Sequence, residues 1–62
     1  MRAKIYFSED YDADRIDELC EKYNADLWYR EREARFKGTS ERLEAFIAEI
    51  CKISQPIKII RY

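Results

Sequence analysis

The spacing of apolar residues switches four times between a period of two and a helical period within only 62 residues. A chain this short has room for one hydrophobic core, so each switch marks a boundary between packed elements of a single domain, residues 1–62. Ala3, Ile5 and Phe7 alternate with Lys4, Tyr6 and Ser8, the pattern of a half-buried strand. Ala13, Ile16, Leu19, Cys20 and Tyr23 then recur at helical spacing. Ahead of them Glu9, Asp10, Asp12 and Asp14 suit a helix N-terminus, through capping and the macrodipole. Asn24 is the expected stop, because Asn tolerates the left-handed conformation that ends helices.

From Ala25 to Thr39 the period of two returns. Leu27 and Tyr29 oppose Asp26, Trp28 and Arg30; after a turn near Glu31 and Arg32, Ala34 and Phe36 oppose Glu33, Arg35 and Lys37. Pairing Tyr29 with Ala34 predicts a hairpin register with Leu27 across from Phe36. It also sets Arg30 against Glu33, Trp28 against Arg35 and Asp26 against Lys37, two ion pairs and one cation–π pair. Thr39 or Ser40 is the expected N-cap of a second helix, whose stripe is Leu43, Phe46, Ile47, Ile50 and Cys51. Ser54, Gln55 and Pro56 end it, and Ile57 to Tyr62 form a last strand.

The order strand, helix, strand, strand, helix, strand predicts an α+β domain of the split βαβ type. Right-handed crossovers then give a four-stranded antiparallel sheet in the order 4-1-3-2, with both helices on one face. This pattern resembles the ferredoxin-like superfold, which hosts many unrelated activities and implies none.

Composition excludes several chemistries. The chain has no His, which removes imidazole bases and His metal ligands. Cys20 and Cys51 are too few for a zinc site or a disulfide framework and read as small buried hydrophobes in a reducing compartment. No run approaches the roughly 20 apolar residues of a membrane span, and no apolar signal-peptide core opens the chain. A cytoplasmic, non-enzymatic protein without cofactor or membrane contact is the expectation.

With helices on one side, the other sheet face is left open. Lys4, Tyr6, Trp28, Arg30, Arg35, Lys37, Lys58, Ile60 and Tyr62 are assigned to it, with Ser8, Asp26 and Glu33. Exposed apolar area interleaved with cations marks an interaction surface. The leading expectation is contact with protein, most simply a homodimer, since Trp, Tyr and Arg are enriched at such interfaces. The alternative is single-stranded RNA or DNA, with Tyr6 and Trp28 stacking on bases and Lys or Arg meeting phosphates. At one position the chain resembles the RNA-recognition motif: Tyr6, within Lys4 to Ser8, lies on the first strand where that family places a stacking aromatic. The third strand departs from that pattern, because Arg35 and Lys37 stand where the family has outward aromatics and Phe36 points inward.

Acidic residues admit three further readings. Asp10, Asp12, Asp14 and Glu21 match positions of a calcium loop, but Arg15 stands where the loop needs Gly. Glu9, Asp10 and Asp12 would serve a metal-dependent nuclease only if they converged on one point. Asp14, Asp17, Glu18 and Glu21, with Glu41, Glu44 and Glu49, offer a docking layer for a basic protein, as phage-type inhibitors do.

The net charge of −1 hides a separation. Residues 1–8, 25–39 and 55–62 hold eight Lys or Arg against three acids, whereas residues 9–24 and 40–54 hold four against ten. A basic sheet layer therefore backs onto an acidic helix layer.

Overall fold

The computed structural model describes residues 1–62. Strand β1 (Arg2–Tyr6) leads to helix α1 (Ala13–Lys22), strands β2 (Asp26–Trp28) and β3 (Glu33–Lys37), helix α2 (Ser40–Ile53) and strand β4 (Lys58–Arg61). The four strands form one antiparallel sheet in the order β2-β3-β1-β4, which read from the opposite edge is β4-β1-β3-β2.

Side-chain oxygens hold both helix starts. Asp12 Oδ1 accepts from the Arg15 amide at 3.2 Å, and Thr39 Oγ1 accepts from the Arg42 amide at 3.2 Å. At the end of α1, Asn24 adopts φ 57°. That reversal lets the Ala25 amide donate to the Cys20 carbonyl at 2.8 Å and the Asn24 amide to Glu21 at 3.2 Å, the paired bonds of a Schellman stop. Helix α2 ends where Pro56 forbids continuation; the Ser54 amide still donates to Ile50 at 2.9 Å. The Ser54 hydroxyl accepts from the Asp12 amide at 3.0 Å, tying the end of α2 to the start of α1.

Both helices cover the same side of the sheet. Ala3, Ile5 and Phe7 on one chain segment and Ala34 and Phe36 on another meet Ile16, Leu19 and Cys20 of α1 and Leu43, Phe46 and Ile50 of α2 in one buried cluster. Phe46 is its hub, with ring centroids 5.5 Å from Phe36 and 5.1 Å from Tyr23. Each large side chain sealed here contributes about 1.5–3 kcal/mol relative to exposure.

Three details correct the sequence reading. The hairpin pairs Asp26 with Arg35, Leu27 with Ala34 and Trp28 with Glu33, a shift of two residues that keeps Leu27 inward and Asp26 and Trp28 outward but changes every partner and moves Tyr29, 54% exposed, out of the strand. The physical reason is the turn. Strand β2 stops at Trp28, so Tyr29 to Arg32 form a four-residue loop closed by the Arg32 amide donating to Tyr29 at 3.2 Å, with Arg32 at φ 52°. Arg30 thus leaves the strand for the loop and does not meet Glu33. Ile57 is the third correction: it precedes β4 and is 69% exposed, while Ile59 alone of that strand packs on the core.

Candidate functional site

The registers place side chains on the open face in three cross-strand rows. Asp26, Arg35, Lys4 and Ile60 form one row; Trp28, Glu33, Tyr6 and Lys58 form the next. Lys37, Arg2 and Tyr62 complete a third, since Arg2 pairs with Lys37 and exchanges backbone hydrogen bonds with Tyr62. The structure therefore gathers eight of the nine predicted face residues and leaves out Arg30, which is exposed on the hairpin loop.

Arg2 is the face residue that sequence reasoning missed. The strand was expected to begin at Ala3, but Arg2 continues the alternation of Lys4 and Tyr6, and parity alone identifies it.

Cations and rings on this face are paired. The Arg35 guanidinium lies 4.0 Å from the Trp28 ring centroid, and Lys4 Nζ lies 5.7 Å from that of Tyr62. Although Trp28 faces Glu33 across the hairpin, Arg35 reaches its ring diagonally, so the predicted cation–π pair forms despite the shifted register. Arg35 Nε also donates to Glu33 Oε2 at 2.5 Å. Glu33 is 5% exposed, a carboxylate covered by its neighbours. That hydrogen bond, more than any longer-range charge, holds the Arg35 guanidinium above its already high ordinary value.

The face remains open to solvent. Trp28 is 44% exposed, Ile60 36% and Tyr62 59%. Arg2, Lys4, Arg35, Lys37 and Lys58 oppose only Asp26 and Glu33, and Glu33 is already bound to Arg35. Cations thus ring three exposed apolar groups on the open face.

The other candidates disperse. Asp10 accepts from the Ser8 hydroxyl at 2.7 Å and Asp12 caps α1, so these two carboxylates are engaged locally, while Glu9 is exposed; no group of three His, Cys, Asp or Glu side chains is placed to hold a metal. Asp14 and Glu21 lie within α1, which the calcium-loop template would need as loop. In the acidic layer Glu49 accepts from Lys22 at 3.1 Å and from the Tyr23 hydroxyl, and Glu44 accepts from Arg61 at 3.0 Å. Cys20 is buried and Cys51 half-buried, both free thiols; burial, with Asp17 and Asp26 nearby, pushes the Cys20 thiol up to about 12. No helix is long and apolar enough to cross a membrane.

Set against protein-family models, curated proteins and solved structures, the chain matches none.

Proposed function

We propose that this chain is a non-enzymatic binding module whose open sheet face takes single-stranded nucleic acid. The observation that carries the reading is the pairing of cation and ring on an uncovered face, Arg35 with Trp28 and Lys4 with Tyr62. Exposed rings offer stacking area to any base, while Arg2, Lys4, Lys37 and Lys58 stand within the same three rows to meet a phosphate backbone. The face is open to solvent, which suits binding and gives none of the water exclusion that catalysis exploits. The element order and strand order support reading the fold as ferredoxin-like, and two free thiols fit a reducing, cytoplasmic setting.

Contact with protein is the competing reading, and the apolar exposure of Trp28, Ile60 and Tyr62 favours it. Charge argues against the simplest version. Stacking this face on a second copy of itself opposes five cations to five, with four carboxylates between them. An anionic partner removes that repulsion.

Binding of labelled single-stranded RNA and DNA by the wild type and by Trp28→Ala and Tyr6→Ala tests the proposal. Loss of about 1–3 kcal/mol per removed ring is expected where a base stacks on it. Binding unaffected by either variant, or no binding at all, refutes the stacking platform.

A further inference from the structure

Strand β4 forms one edge of the sheet and pairs only with β1. Arg2 and Tyr62 exchange both backbone hydrogen bonds, at 3.0 and 2.9 Å. In an antiparallel ladder such pairs alternate, so Lys58, Ile60 and Tyr62 direct their amides and carbonyls toward β1. Ile59 and Arg61 direct theirs outward, and β4 has no neighbour on that side. Two residues thus present a full set of four unpaired backbone groups on an exposed edge. The opposite edge offers less. In β2 the same alternation turns Asp26 and Trp28 toward β3 and leaves only Leu27 facing out.

Register decides the partner. We propose that two copies join β4 to β4 antiparallel about a two-fold axis at Ile60, making one continuous eight-stranded sheet. Centred there, Ile59 of each copy pairs with the partner's Arg61, and all four outward groups are satisfied on both sides. Ile60 packs against the partner's Ile60, burying the exposed apolar group nearest the edge. Lys58 falls opposite the partner's Tyr62, a cation–π match made twice by symmetry. Moving the axis to Lys58 or to Arg61 opposes like charges. Moving it to Ile59 enlists Ile57, whose amide is already donated to Tyr6 at 2.8 Å. Of these registers, the one centred on Ile60 satisfies all four outward groups without opposing like charges.

The inference extends the open-face reading, since the two basic, aromatic faces become one surface of twice the length, but it stands or fails separately. Its test is solution mass without nucleic acid, from micromolar to millimolar concentration, read against the 7.6 kDa chain. Wild type is expected to approach twice that mass. Arg61→Pro removes an amide with no partner inside the chain and is expected to stay monomeric, while Arg61→Ala, which keeps the amide, is expected to dimerise. Should Arg61→Pro fail to fold, hydrogen exchange of the wild type decides: the Ile59 and Arg61 amides should slow at least about tenfold between dilute and concentrated samples. A monomer throughout the range, a dimer undisturbed by Arg61→Pro in a folded variant, or no concentration-dependent protection of those amides overturns the proposal.

Discussion

Arg35 stands over the Trp28 ring at 4.0 Å while its Nε donates to Glu33 at 2.5 Å, so one guanidinium serves an aromatic face and a buried carboxylate together. Arg35→Ala strips both. The sole tryptophan loses its cover, and Glu33, 5% exposed, loses its only charged partner. Red-shifted fluorescence and a lower Tm are expected. Glu33→Gln combined with Arg35→Ala should recover part of the lost Tm, because the unpaired charge is gone; no recovery in the double variant contradicts the pairing.

The core hub sets a stability prediction. Phe46 is fully buried between Phe36 and Tyr23, and Phe46→Ala should cost about 3–5 kcal/mol. A domain of this size holds only about 3–9 kcal/mol in total. Urea titration should therefore show a much lower midpoint for Phe46→Ala, with little or no native baseline if the wild type lies at the low end of that range, and a smaller loss for Phe46→Leu.

Gly38 predicts a steric effect. A Cβ there would sit 2.9 Å from Cζ of the Phe36 ring, and that ring is itself buried. Gly38→Ala should lower stability by about 1–3 kcal/mol through overpacking, visible in the same titration. Phe36→Leu in the Gly38→Ala background should relieve part of it.

The link between the helices responds to pH at both ends. The Tyr23 hydroxyl donates to Glu49, which also accepts from Lys22. The Tyr23 bond, then the Lys22 bond, hold the Glu49 carboxyl below its usual 4.5, so its contribution is present above that value and is lost as pH falls through the lowered one. The same bond holds the Tyr23 phenol above its usual 10.0, so that contribution is present below 10.0 and is lost as pH rises through the raised value. Tyr23→Phe should flatten both limbs of a Tm-against-pH curve.

What the sequence made legible follows from which signals are local. Stripes such as Leu43, Phe46 and Ile50 are set by one helix, and caps such as Thr39 by one turn; both appear where periodicity and side-chain chemistry place them. The hairpin register is not local in that sense. Shifting it by two keeps Leu27 inward and Trp28 outward, so hydrophobic pattern cannot distinguish the two registers. The deciding factor was the left-handed Arg32, an unusual position for Arg, which lengthened the loop and carried Arg30 off the face. An apolar pattern places Ile57 in the last strand, but the bend before Lys58 leaves it outside β4 and exposed. The other eight residues expected on the open face keep to it because faces depend only on parity.

The central claim is that this face binds single-stranded nucleic acid, and Trp28, the only tryptophan, reports on it directly. The decisive measurement is quenching of its fluorescence by a single-stranded oligonucleotide across a series of salt concentrations. Saturable quenching is expected, with about four phosphate contacts giving a slope of about −3 in log affinity against log salt. Unchanged Trp28 emission at saturating oligonucleotide, or an affinity indifferent to salt, would contradict the account.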